Sequence, residues 1–265
     1  MDKKPDNNGN RFQLDRVAFY GRTLSEYLKM FRIDDTDHLK SYNRILDCPS
    51  GASSFVAEAN NKYEVNTVGC DPLFDKDSRI LQKLGEEDIE YVVKRVSLAP
   101  NLYNWSFYSS IEELRNYRKL SLDQFISDYN VGRQRRRYVK AELPNLPFDD
   151  KSFDLVLSGH FLFTYSHKFE FSFILSSIIE LFRVCSREVR IYPLQKSSSE
   201  PYEHMTDLLT TLKKRYGITY HILLVPFEFQ KGSNKMLCLT HQVSEFKIRS
   251  NCRNINGTVN RWGCY

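Results

Sequence analysis

Long apolar runs, paired cysteines and a dominant charge are all missing from this 265-residue chain. No stretch approaches the roughly 18 consecutive apolar residues that a membrane helix needs. The opening MDKKPDNNGNR also lacks the apolar core of a signal peptide. No membrane association and a cytoplasmic location are therefore expected. The six cysteines, Cys48, Cys70, Cys185, Cys238, Cys252 and Cys264, include no CxxC pair and no Cys/His cluster at zinc-ligand spacing. Free thiols and no bound metal follow as expectations. Lys and Arg exceed Asp and Glu by only 38 to 33, a formal charge of +5 that is too mild to mark a nucleic-acid binder. With 11 glycines and 9 prolines, collagen-like and low-complexity classes fall away. What is present is 41% apolar and 27% charged residues, enough to bury the core of an ordinary globular protein.

Along the chain, apolar residues at helical spacing from Phe12 to Phe31 give way to a short strand pattern at Arg44 to Cys48 and the turn Pro49-Ser50-Gly51. A helix is expected from about Ser53, then a strand from Val65 to Cys70 that Asp71-Pro72 stops. Such a unit normally forms a right-handed parallel crossover. Two helical stretches follow, Asp77 to Val96 and Ser109 to Tyr129, separated by the aromatic segment Asn101 to Tyr108. Alternation then resumes, with strands at Tyr138 to Leu143, Phe153 to Ser158 and Glu188 to Pro193 and helices at Phe169 to Cys185 and Tyr202 to Tyr216. Thr219 to Val225 and Lys235 to Thr240 read as an antiparallel hairpin. The expected organisation is an N-terminal helical cap over 1–42, an α/β domain over 43–241 carrying a helical insertion at 75–135, and an irregular tail over 242–265.

The segment Asp47-Cys48-Pro49-Ser50-Gly51-Ala52-Ser53 stands where an open α/β sheet receives nucleotides, between the first strand and the first helix. A pyrophosphate pressed against backbone at a helix start needs several glycines, and only Gly51 is available; GKS/T is also absent. A nucleoside without phosphates needs less close approach. Asp71 closes the second strand, and Glu142 closes the third ahead of Leu143-Pro144-Asn145-Leu146-Pro147-Phe148-Asp149-Asp150. Singly, such acids are often turn or cap residues. Together they would share one rim of the sheet.

On these residues the chain resembles the class I S-adenosylmethionine-dependent methyltransferases, over roughly Asn43 to Thr240. In the family's D-x-G-x-G-x-G pattern Asp47 takes the acidic place and Gly51 the central glycine, while Pro49 and Ser53 replace the outer two. The resemblance implies that Asp71 holds the ribose hydroxyls, because a carboxylate can accept from both members of a vicinal diol. It also implies that Glu142 accepts from the adenine amino group, with Pro72, Leu143 and Ser158 completing the cofactor site. Its further implications are a mostly parallel seven-stranded Rossmann-like sheet with an antiparallel last strand and S-adenosylmethionine as cofactor, with S-adenosylhomocysteine as product.

Past the fourth strand, Ser158-Gly159-His160-Phe161 falls where the acceptor would lie. His160 is the candidate base, against the alternative of a loop hydrogen bond. Tyr20, Tyr165 and His167 are further candidates for touching the acceptor, and the Tyr20-Gly21-Arg22-Thr23 segment for a lid. The fourth strand lacks both the N/D-P-P-Y/F of base-amine methylation and a Pro-Cys pair. A small-molecule acceptor with an O, N or S nucleophile is the first expectation. An RNA acceptor, resting on Arg133, Arg135, Arg136 and Arg137, is the second, and a nucleoside-binding regulator without catalysis the third.

Overall fold

The computed structural model describes residues 14–241; the tail over 242–265 and the residues before Leu14 lie outside the described residues. Among the described residues seven strands and seven α-helices follow one another: α1 (Leu24–Met30), α2 (Thr36–Lys40), β1 (Ile45–Asp47), α3 (Phe55–Tyr63), β2 (Thr67–Asp71), α4 (Ser78–Ser97), α5 (Ile111–Gln134), β3 (Tyr138–Lys140), β4 (Phe153–Gly159), α6 (Phe171–Arg183), β5 (Cys185–Tyr192), α7 (Met205–Tyr216), β6 (Thr219–Leu224) and β7 (Lys235–Thr240). The strands form one sheet in the order β3-β2-β1-β4-β5-β7-β6. All pairings are parallel except those of β7, which runs antiparallel to both β5 and β6. The chain thus has the mostly parallel, seven-stranded Rossmann-like sheet that its sequence leads one to expect.

Side chains of the central strands leave the sheet on alternate sides, and both sides are dry. Ile45, Leu155 and Leu157 enter the apolar cluster with Phe55, Leu81, Leu122 and Phe125, whereas Leu46, Val156 and Val189 enter the other with Ile174, Ile178, Leu181 and Leu208. In α6 the buried Ile174, Ile178 and Leu181 recur at helical spacing, so one stripe of the helix meets the sheet. β1 pairs with β2 on one side and β4 on the other, so the strand order reverses there. A crevice opens at such a switch point, beyond the carboxyl ends of the strands.

Local boundaries differ from the sequence pattern where tertiary contacts or proline intervene. Of the helical spacing over Phe12 to Phe31, the described residues form helix only at Leu24–Met30. Residues 14–23 instead form an extended strap whose backbone bonds to distant groups: Phe19 N donates to Asp88 Oδ2 (2.6 Å), Ala18 N to the Tyr165 hydroxyl (3.2 Å), and the Arg22 carbonyl accepts from Ser54 N (3.1 Å). A helix would have to surrender all three. β3 ends at Lys140, three residues early, because the chain turns at Glu142 to Asn145, a turn that contains Pro144. The aromatic segment packs its Tyr103 ring on Phe229, 4.6 Å between centroids, and bonds Asn104 N to the Phe229 carbonyl (2.6 Å). No described helix is long and apolar enough to cross a membrane.

Candidate active site

The crevice beyond β1, β2 and β4 contains a cavity of about 520 Å³, within the size range of small-molecule sites. One wall is the turn from β1 into α3. Ser50 N donates to the Cys70 carbonyl (2.9 Å) and Gly51 N to Asp71 Oδ2 (3.1 Å), which ties the turn to the end of β2. Gly51 has φ +54°, and a Cβ there would stand 2.9 Å from the Tyr20 carbonyl oxygen. Glycine is therefore required by conformation and by space together.

Asp71 lines this wall and is 7% exposed. Each of its oxygens accepts one backbone N–H, from Gly51 and Leu73, and a carboxylate has room for about four. Two acceptor positions remain for a diol. Burial lifts the Asp71 carboxyl to about 6, with the two N–H groups holding it down. Pro49, Pro72, Glu142 and Leu143 line the cavity with it. The Glu142 side chain is exposed, within reach of a ligand edge.

Asp47 takes a different position from the other cofactor candidates. It is fully buried beneath the turn and does not line the cavity. Its carboxylate accepts from the Tyr27 hydroxyl at 3.0 Å to both oxygens and from Ser50 Oγ at 2.7 Å. Burial drives its carboxyl up to about 7 against those hydrogen bonds, with Asp71 adding repulsion. In return, the Tyr27 hydroxyl is pushed well above its ordinary range by burial and by Asp47. Asp47 thus shapes the turn from behind. Ser158, 1% exposed, is likewise behind the wall.

The opposite end is formed by the strap, β4 and the aromatic segment. Gly159 and His160 line it just past β4, and His160 adopts φ +51° with its N–H donated to the Tyr192 carbonyl (2.6 Å). The imidazole packs edge-on to Tyr192, 5.1 Å between centroids, and its Nε2 is buried without a partner among the described residues. Burial, then the charges of Arg22 and Arg118, hold His160 well below its usual range, so it is neutral at pH 7. Tyr20 and Tyr165 line the cavity as well. His167 does not; its Nε2 meets the Leu14 carbonyl at 3.0 Å and fixes the strap. Of the aromatic segment, Tyr103 and Tyr108 face the cavity, while Trp105 and Phe107 pack behind.

Several site residues are not marked by any motif. Arg118, 2% exposed, pairs with Glu26 and bonds to the Tyr108 hydroxyl and Gly21 carbonyl. Burial acts to raise the Glu26 carboxyl, but Arg118, Arg22, Tyr108 and Thr23 together bring it below its usual range. The signal for Arg118 was present: it interrupts the buried stripe Leu114, Ser121, Leu122 and Phe125 of α5. Asp88, on the buried face of α4, pairs with Arg16 of the strap. Phe227 and Phe229 arrive from the β6–β7 connection, where only folding places them.

The arginine cluster is divided by the fold. Arg137 is buried, pairs with Asp128 and donates to Asn61 Oδ1 (3.2 Å). Arg133 and Arg136 border a separate groove of about 630 Å³ along β3, with Arg44, Lys140, Asp75 and Asp149. Cys48, Cys70, Cys185 and Cys238 are buried free thiols, and no cluster of three metal-ligating side chains occurs among the described residues.

A doubly wound α/β sheet with a nucleoside-sized crevice at its switch point is the class that this fold and site define. No family model matches the chain. It is 31% identical over 227 residues to the uncharacterized protein MJ0045 of Methanocaldococcus jannaschii, covering 85% of this chain and 97% of that one, and it belongs to the same family. Among solved structures it is similar to a SAM-dependent methyltransferase from Aquifex aeolicus (15% identity, TM-score 0.38, 82% of this chain and 87% of that one). It is also similar to PigF with SAH (12%, TM-score 0.42, 83% and 61%). A third is a possible histamine N-methyltransferase from Thermotoga maritima (10%, TM-score 0.37, 83% and 89%).

Proposed function

We propose that the chain is an S-adenosylmethionine-dependent methyltransferase acting on an O, N or S atom of a small molecule. The observation that carries this reading is Asp71, a buried carboxylate on the cavity wall with two acceptor positions left after its bonds to Gly51 and Leu73. The donor set fits a nucleoside: Asp71 for the ribose diol, Glu142 for the adenine edge, and the apolar Pro72 and Leu143 for the base faces. The single-glycine turn offers no nest for a diphosphate. When bound, S-adenosylmethionine supplies an electrophilic methyl group on a sulfonium that departs as a neutral thioether.

The residues of the chain then do the positioning. The strap and the aromatic segment exclude water and align the acceptor, which can contribute on the order of 7 to 11 kcal/mol. His160 Nε2, neutral and without a partner among the described residues, can take the proton released from a hydroxyl acceptor as the new bond forms. Arg22 and Arg118 work against the resulting imidazolium. An RNA acceptor is disfavoured because Arg137 is already consumed by Asp128, leaving a mixed-sign groove.

Asp71→Ala tests the cofactor assignment. Calorimetry with S-adenosylhomocysteine should show a loss of roughly 1.5 to 3 kcal/mol, the usual cost of hydrogen bonds to a charged acceptor. Wild-type protein that binds NAD and ignores S-adenosylmethionine overturns the reading. Acceptors are screened by the S-adenosylhomocysteine they release.

A further inference from the structure

Most charges on the cavity wall have partners within the chain. Arg16 pairs with Asp88, and Arg118 with Glu26; Asp71 and Glu142 stand at the cofactor end. Arg22 is different. Among the described residues it makes no ion pair, and its guanidinium lies 5.6 Å from the Tyr20 ring centroid. Its backbone is fixed, since the Arg22 carbonyl accepts from Ser53 Oγ (2.9 Å) and Ser54 N (3.1 Å).

The charge of Arg22 is felt by Glu26, Tyr20, Tyr27 and Tyr108 on the strap side of the cavity and also reaches the acceptor end. It lowers the basicity of His160 and eases ionisation of Tyr165 and Tyr192, whereas Asp71 is governed by burial and two backbone N–H groups. The same end holds three buried polar atoms without partners among the described residues: His160 Nε2, Thr164 Oγ1 and Ser197 Oγ. Thr164 and Ser197 are neighbours, joined by Ser197 N to the Thr164 carbonyl (3.0 Å). Buried polar atoms are normally paired, so unpaired ones on a cavity also lined by a guanidinium with no ion pair among the described residues mark where a polar ligand group sits. Tyr108, Phe227 and Phe229 pack together on the same cavity, with Tyr108 and Phe229 at 4.8 Å.

We propose that the methyl acceptor is an aromatic carboxylic acid, its carboxylate held by Arg22 and its ring by Tyr108, Phe227 and Phe229. This rests on the methyltransferase reading. One free guanidinium suits a monoanion better than a phosphate, which takes several donors. A carboxylate on Arg22 also offsets part of the positive field that, after burial, opposes proton uptake by His160.

Hydroxybenzoates and the matching hydroxybenzamides, titrated into protein saturated with S-adenosylhomocysteine, test this. The acids should bind roughly tenfold to a hundredfold more tightly than the amides, as expected for a charge-assisted hydrogen-bonded pair. Arg22→Met should erase that preference, and Arg22→Lys should keep part of it, with melting temperature as the folding control. Equal affinity for acids and amides, or no binding of any acid, overturns the proposal. Arg22→Met that weakens S-adenosylhomocysteine but not 5′-methylthioadenosine, which lacks the amino-acid tail, overturns it too and assigns Arg22 to the carboxylate of the cofactor. Wild-type protein that prefers the acids yet has no affinity for S-adenosylhomocysteine overturns the methyltransferase reading and leaves the acid site standing.

Discussion

Replacing Asp47 with asparagine separates a residue that shapes the turn from one that touches a ligand. Asp47 is fully buried, accepts from Tyr27 and Ser50, and has no cationic partner among the described residues. Its carboxyl rises from an ordinary 3.8 to about 7, so the folded chain holds a proton there that the unfolded chain releases. Stability from this group is complete below about pH 4 and is lost as pH rises through 7. Ionising it in place costs on the order of 4 kcal/mol at high pH, taking 1.36 kcal/mol for each step of one in pKa. Asparagine keeps the shape, accepts one hydroxyl and carries no charge. Urea denaturation from pH 5 to pH 9 should show wild type weakening with rising pH and Asp47→Asn nearly level, with the variant the more stable by pH 8. Asp71 leaves a smaller residual slope of the same sign, since it too is raised, to about 6. A variant that is less stable than wild type at pH 8 with the same slope would refute this account. One that remains stable but loses cofactor affinity would show that Asp47 touches the ligand after all.

Two further outcomes follow from buried groups. His160→Ala should lower kcat by about a hundredfold to ten-thousandfold with little change in cofactor affinity, and the acid limb of the wild-type profile should lie below the ordinary 6.5, because burial depresses the imidazole. A stable variant with wild-type kcat across pH 6 to 9 removes His160 from the reaction. Arg118→Met should cost roughly 3 to 5 kcal/mol in denaturation, by stranding the Glu26 carboxylate, and the double variant with Glu26→Gln should recover most of it. No recovery would mean that the Gly21 and Tyr108 contacts, rather than the charge, hold the strap.

The sheet was legible because its central strands are short apolar runs bounded by turn residues, and Asp71, Glu142 and Gly51 could be picked out as facing one cavity because the first two follow strand patterns toward the same rim and the third is the one glycine of the turn after β1. Position along a strand is local information. Asp47 also ends a strand, yet its side chain points behind the turn, and nothing in the local pattern separates the two cases. The strap misled for the opposite reason. Helical spacing over Phe12 to Phe31 is genuine, but the backbone groups of residues 14–23 are claimed by Asp88, Tyr165 and Ser54, partners that no local window contains. The lone Arg22 is invisible until its neighbours are seen to be paired elsewhere.

The strap has a consequence for how the protein is made. Phe19 is bonded to a residue 69 positions later, Gly21 to one 97 later, Ala18 to one 147 later and the Leu14 carbonyl to one 153 later. Chains leave the ribosome amino end first. The strap is therefore made well before its last two partners, Tyr165 and His167, and can bond to them only once they too have been translated. Phe227 and Phe229, which line the same cavity, are made later still, so the wall is completed by residues translated long after the strap.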